Sequence, residues 1–165
     1  RSVYNSMTSR LLVDKIEGKS TSGTVQMPQG HVIQTQSSVI TSEVQTSSTS
    51  YTDTGHSVTI TPKFSSSKIF ILFLGGRITY GTSTASRISV QLHADSVNIA
   101  QVVEELQQGS SNVAYGFNMA NSFTHSPNTT SAVFYKTVFK SIGGNAIYYN
   151  SQGVPINLIA QEIAQ

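Results

Sequence analysis

Asp53-Thr54-Gly55, within the stretch YTDTGHSVTITPKFSSSKIFILF from Tyr51 to Phe73, has an obvious catalytic counterpart, because Asp-Thr-Gly holds the reactive carboxylate of aspartic proteases. That chemistry needs two carboxylates sharing a proton, each on a loop after an apolar strand, so that water is excluded and one pKa is pushed upward. Here the motif occurs once and follows the polar run TSSTSYT. A homodimer could supply a second carboxylate, but the apolar strand leading into the motif would still be missing. Asp with Gly two residues later is ordinary turn chemistry, and the sequence favours the turn.

Other candidates thin out in the same way. Glu17-Gly18-Lys19-Ser20-Thr21 imitates the end of a phosphate-binding loop, but Val13 stands where a second Gly is required and no βαβ unit surrounds it. His31, His56, His93 and His125 show no metal-ligand spacing, and no Gly-x-Ser-x-Gly elbow marks a serine nucleophile. Glu104 and Glu105 are adjacent acids whose side chains diverge on a strand or a helix. With no cysteine there are no thiolate ligands and no disulfides. No enzymatic activity, metal or cofactor is expected. Asn128-Thr129-Thr130 is a formal glycosylation acceptor, meaningful only in a secretory pathway. Tyr80, Tyr115, Tyr148 and Tyr149 stand near Gly, Asn and Ser, where rings stack on sugar faces and amides bond hydroxyls. Tyr is also a good strand former, and one of Tyr148 and Tyr149 should face a core.

The elements that must position these residues are strands. Charged residues are 11% of the 165, against roughly 25% in an average domain, and Ser and Thr replace them. The net charge of +2 comes from scattered Lys and Arg, with no basic stripe for a nucleic acid. No apolar run approaches the roughly 18 residues of a membrane span, so neither nucleic acid nor membrane insertion is expected and the chain reads as soluble. HSVTITP alternates cleanly and Pro62 closes it, KFSSS is a turn, and KIFILFLGG is apolar on both faces until Gly75 and Gly76 end it. A strand apolar on both faces calls for a second layer or another subunit. RISVQLH alternates before a tight turn at Asp95 and Ser96, whereas IAQVVEELQQG, Ile99 to Gly109, reads as a helix with strand nearly as plausible. Later strands are NVAYGFNMA, SAVFYKTVFKS, NAIYYNS and VPINLIAQEIA. Roughly seven to nine short strands between turn signals predict an all-β fold, an antiparallel β-sandwich of jelly-roll-like type. Residues 1–30 are mostly polar, broken by LLVDKIEG, with Leu11, Leu12, Val13 and Ile16, and by MPQG, and read as an extended N-terminal arm attaching the domain 31–165 to a neighbour. The start at Arg1 rather than Met reads as a missing upstream piece or a processed end.

The run from Gly30 to Phe73 resembles a module of structural proteins in tailed bacteriophages, especially those of marine cyanobacteria. The matching residues are Gly30-His31-Val32-Ile33-Gln34, Thr49-Ser50-Tyr51-Thr52-Asp53-Thr54-Gly55, Ile60-Thr61-Pro62 and Ser65-Ser66-Ser67-Lys68-Ile69. SAVFYKTVFKSIGGNAIYYNSQG and the terminal Glu162-Ile163 are similar to the closing hairpin and last strand of that module, and LLVDKIEGKS to segments that precede it. The middle departs: QLHADSVNIA stands where the module has an Arg-Asn-Gly-type turn, so loop specificity does not transfer.

The resemblance implies a virion component at the particle surface, a tail or capsid fibre, a knob or a capsid decoration protein, commonly a homotrimer bound to other virion proteins. A projecting host-contact module is the first expectation, a decoration or cement protein the second, and a glycan-acting or aspartic-type hydrolase a distant third. Candidate receptor contacts, to a host surface glycan, are Tyr80, Ser83, Asn112, Tyr115, His125 and Asn128, on the loops 81–86, 109–112 and 125–130 and their flanks. Leu11, Leu12, Val13 and Ile16 are the candidate attachment residues of the arm.

Overall fold

The computed structural model describes residues 28–80, 87–107 and 116–165. Ten strands follow one another: β1 (Val32–Ile40), β2 (Val44–Thr46), β3 (Thr52–Ile60), β4 (Lys68–Tyr80), β5 (Arg87–Ala94), β6 (Val97–Gln107), β7 (Gly116–His125), β8 (Val133–Ser141), β9 (Ile147–Tyr149) and β10 (Ile156–Ile163). One 3-10 turn, Ser151–Gly153, precedes β10. The main strands form two antiparallel sheets in the orders β1-β10-β4-β7 and β3-β8-β5-β6, with the short β9 pairing the last two residues of β4 and β2 pairing β9. Placing β1, β4, β7 and β10 in one layer and β3, β5, β6 and β8 in the other gives the jelly-roll topology.

Alternation drives the packing. In β3, Thr54, His56, Val58 and Ile60 point inward and are buried, while Asp53, Gly55 and Thr59 are exposed. In β4, Ile69, Ile71 and Phe73 are wholly buried against Leu158, Ala160, Tyr135 and Phe139 of the same core. Phe70 and Leu72 on the opposite side are half-buried and Leu74 is exposed. The second apolar face of this strand is thus not fully covered by the described residues. Of the paired tyrosines, Tyr149 is in the core and Tyr148 is half-exposed.

Three sequence expectations are corrected. Asp53-Thr54-Gly55, expected as a turn, lies within β3, where the Asp–Gly geometry makes a bulge in the pairing with β8 rather than a chain reversal. Ile99 to Gln107, expected as helix, belongs to β6, which pairs with β5 across the two-residue turn at Asp95 and Ser96. Asp95 turns the chain at a φ of 54°, and the hairpin ladder outweighs the modest helical preference of EEL. Gly75 and Gly76 do not end β4. They form a bulge at φ 86° and 72°, and the strand continues to Tyr80. A Cβ on Gly76 would lie 1.9 Å from Ile156 Cγ1, so the bend lets β10 approach only because no side chain stands there.

Candidate functional site

Asp53 sits in a bulge of β3, between the pairings Asp53↔Val138 and Ser57↔Lys136. Its Oδ1 accepts from the Gly55 amide at 2.8 Å, with Gly55 at φ 74°, and its Oδ2 accepts from Lys136 Nζ at 2.8 Å. Partial burial raises its pKa, but the Lys136 hydrogen bond and charge with the Gly55 amide outweigh that and hold the carboxyl below its ordinary value. This is a carboxylate fixed in an ion pair, with its side chain 49% exposed. A protease dyad instead has one carboxyl kept protonated.

The tripeptide's other side faces the core. Thr54 Oγ1 bonds Thr137 Oγ1 at 2.7 Å, Thr137 Oγ1 bonds the Tyr149 hydroxyl at 3.0 Å, and Tyr149 bonds His56 Nδ1 at 2.9 Å. His56 Nε2 reaches the Ser38 carbonyl at 3.3 Å, tying β3 to β1 of the other sheet. Burial lowers the His56 pKa, with the Ser38 bond opposing, and burial pushes the Tyr149 hydroxyl above the usual phenol range. The imidazole is therefore neutral and the phenol protonated at pH 7, as an inter-sheet cross-link requires.

A second buried knot joins the segments that carried the phage resemblance. Glu162 is wholly buried in β10. Its Oε1 accepts from the Lys63 and Phe64 amides at 2.7 and 3.2 Å, and its Oε2 accepts from Gln34 Nε2 at 2.6 Å. Gln34 Nε2 also donates to the Thr61 carbonyl at 2.7 Å. Opening, Ile-Thr-Pro turn and closing Glu-Ile meet at one point and fix the connection from β3 to β4.

The outer faces of the sheets differ in chemistry. Outside β3-β8-β5-β6, Gln101 Nε2 donates to Ser89 Oγ and Gln101 Oε1 accepts from Gln91 Nε2, while Gln91 Oε1 bonds His93 Nε2. Ser89 bonds the Tyr51 hydroxyl, Lys140 lies over the Tyr51 ring at 4.6 Å, and the Lys136–Asp53 pair completes a polar surface whose partners are largely internal. Outside β1-β10-β4-β7, register sets three rows: Thr35–Gln161–Phe70–Thr124, Ser37–Ile159–Leu72–Ser122 and Val39–Asn157–Leu74–Ala120. None of these twelve residues is charged, and Val39 and Leu74 are 56% and 37% exposed.

The described members of the expected receptor set lie at two ends of the sandwich. Tyr80 pairs through its backbone with Ile147 at the end of the sandwich where β5 and β7 begin. His125 and Asn128 lie at the opposite end, where Ile69 pairs with His125 and the chain starts β8. Asn128 is exposed at φ 53° and bonds the Ser126 carbonyl, while His125 Nδ1 bonds the Tyr135 hydroxyl at 2.8 Å. Ser83, Asn112, Tyr115, Leu11, Leu12, Val13 and Ile16 lie outside the described residues. Among the described residues, no three His, Cys, Asp or Glu are grouped to hold a metal.

The end with His125 holds a cleft of about 210 Å³ lined by Ala94, Asp95, Val97, Ile99, His125, Pro127, Thr129 and Val133. The sequence signalled its turn at Asp95 but not the cleft, because Val97 and Pro127 meet only when the β5-β6 hairpin packs beside the connection from β7 to β8.

The chain is thus an all-antiparallel jelly-roll sandwich. No family model matches it, and no curated protein sequence does. Among solved structures it is similar to chains of infectious bursal disease virus. The Gt strain structure shows 12% identity and a TM-score of 0.32 over 96% of this chain. The VP2 subviral particle shows 13% identity and a TM-score of 0.33 over 96% of this chain. The chain spans about two fifths of the length of those chains, 41% and 42%.

Proposed function

We propose that this protein is a non-enzymatic structural component of a bacteriophage virion, a jelly-roll module of tail- or capsid-fibre or knob type that assembles through one sheet face and projects from the particle. The observation that carries the reading is the uncharged centre of the β1-β10-β4-β7 face, the three rows from Thr35 to Ala120, with Lys68 exposed at its edge. Two copies laid against each other over these rows bury no charge in the middle of the contact and leave Lys68 at its rim, and Phe70, Leu72, Leu74, Ile159 and Val39 supply apolar area. The outer face of the other sheet pairs many of its polar side chains with one another and suits water. The phage resemblance supports a homotrimer, and closed symmetry lets one surface type serve every copy.

Attachment and host contact fall at opposite ends in this reading. The backbone at Gly30 and His31 is bonded to Ala164 at 2.9 Å in both directions, so the preceding arm joins at the end where β1 begins. Host contact belongs to the other end, where β4 and β6 finish, and repetition over several copies would make weak glycan contacts firm. His125 and Asn128 leave the receptor set on this account.

Light scattering tests the assembly: a mass near three times 17.7 kDa is expected, with Leu72→Lys/Leu74→Lys reducing it to one chain while the β-type circular dichroism persists. A wild-type protein that stays at 17.7 kDa across concentrations overturns the reading. A decoration or cement role is the second reading, favoured by the secured arm root at Ala164. Deleting residues 1–27 separates the two: host binding retained by the body supports the projecting module, while particles that lose only heat resistance support cement.

A further inference from the structure

The cleft beside His125 has the chemistry of a peptide-docking pocket. Ala94, Val97, Ile99, Pro127 and Val133 give it an aliphatic wall, and Val97 is 63% exposed while Ile99 is half-buried and Val133 buried. Asp95 supplies a carboxylate at the rim; its Oδ1 accepts from the Phe134 amide at 3.1 Å, and its Oδ2 has no bond among the described residues. His125 supplies the opposite function. Burial, with the Asp95 charge adding, keeps the Tyr135 hydroxyl protonated, so that hydroxyl donates to His125 Nδ1. Burial lowers the His125 pKa against the pull of Asp95, leaving a neutral ring with Nε2–H as its remaining donor. One carboxylate acceptor, one N–H donor and an aliphatic wall match a short segment with a cation beside aliphatic side chains.

We propose that this cleft receives the Arg10-Leu11-Leu12 segment of the chain's own amino-terminal arm, the leucine side chains against Val97 and Ile99 and the guanidinium on Asp95. The sequence places an arginine immediately before the one cluster of large apolar residues in 1–27, giving the charge complement that Asp95 needs. Position agrees. The row Val32–Ile163–Lys68 lies next to Ile69–His125, so the root of the arm is about 14 Å, three strand spacings, from His125. Sixteen positions separate Leu12 from Pro28, a reach of up to about 50 Å, which covers the cleft of the same copy or of an adjacent one. The inference rests on the attachment role proposed for the arm and gives that role an address.

The test uses the full chain with Val and Ile methyl labelling. The Val97, Ile99 and Val133 methyl signals should differ between the wild type and Leu11→Asp/Leu12→Asp. They should return towards wild-type positions when a synthetic peptide of residues 7–17 is added to that variant. Asp95→Asn in the variant, or Arg10→Ala in the peptide, should weaken this titration about tenfold or more. Asn tolerates the positive φ and can still accept from Phe134, so Asp95→Asn preserves the fold. Unchanged methyl signals in the variant together with no response to millimolar peptide overturn the proposal, as does equal binding by the Arg10→Ala peptide. Mass measured on the same samples keeps the ideas separate: a monomer that responds retires the assembly alone, and a trimer that does not respond retires the docking alone.

Discussion

Replacing Glu162 should damage this fold more than any other single carboxylate change among the described residues. The side chain is wholly buried and ends three hydrogen bonds, two from the Lys63 and Phe64 amides to Oε1 and one from Gln34 to Oε2. Glu162→Ala strands two backbone donors and the Gln34 amide beside a space that the side chain filled. Each buried donor left unpaired costs about 1–3 kcal/mol, and water entering the vacated space returns part of that. A net loss of about 3–5 kcal/mol follows, a large fraction of the roughly 5–15 kcal/mol of a typical domain. Glu162→Gln discriminates the cause. Its carbonyl can still accept from both amides, but its NH₂ then faces the Gln34 NH₂. Turning Gln34 over to relieve that removes the donor to the Thr61 carbonyl. One bond is lost either way, so about 1–2 kcal/mol is expected. Urea unfolding followed by circular dichroism measures both, in a Leu72→Lys/Leu74→Lys background if assembly complicates the transition. A Glu162→Ala loss under about 1 kcal/mol, or a Glu162→Gln loss equal to it, refutes the claim that three convergent hydrogen bonds hold this corner.

Tyr149→Phe removes the hydroxyl shared by His56 and Thr137 with no change in ring packing against Phe73, and should cost about 1–3 kcal/mol in the same unfolding measurement. Gly76→Ala should be far worse than Gly144→Ala: both sit at positive φ, worth about 1–2 kcal/mol, but only the first drives a Cβ into Ile156. Comparable midpoints for the two variants would contradict the close approach of β10. Stability should be flat between pH 6.5 and pH 8 and fall as pH drops below 6.5. His56, His93 and His125 all have folded pKa values lowered beneath 6.5, chiefly by burial, so the unfolded chain takes up protons first. A further loss belongs below pH 3.8, where Asp53 protonates later in the folded state than in the unfolded one. Urea midpoints between pH 8 and pH 3 check this, and His56→Phe should flatten the upper part of the fall.

What was legible in the sequence is what two-residue periodicity encodes. HSVTITP and KIFILF predicted the second half of β3 and the first half of β4 with the correct faces, and Asp95-Ser96 predicted its hairpin, because each is decided by neighbours in the chain. Ile99 to Gln107 was not legible. Its side chains alternate imperfectly, since the pairing with β5 shifts register three times, and such shifts blur the period that distinguishes strand from helix. Gly75-Gly76 misled for a related reason: a glycine pair signals both a strand end and a bulge, and only the approach of Ile156 from a distant part of the chain decides which.

The motifs that carried the resemblance were legible as patterns, while their physical cause was not. Gln34, Thr61 and Glu162 are far apart in sequence, yet a single buried carboxylate makes all three segments depend on one another. A polar residue at any of these positions would look like surface in isolation. The cost of burying Glu162 is tolerable only because Gln34 and the Lys63 and Phe64 amides bond it, which ties the opening, the turn and the closing Glu-Ile to a single requirement of the jelly roll. It also explains why Asp53-Thr54-Gly55 can resemble a catalytic motif without its geometry: its carboxylate is held by Lys136 on one face of β3, and its threonine belongs to a separate buried network on the other.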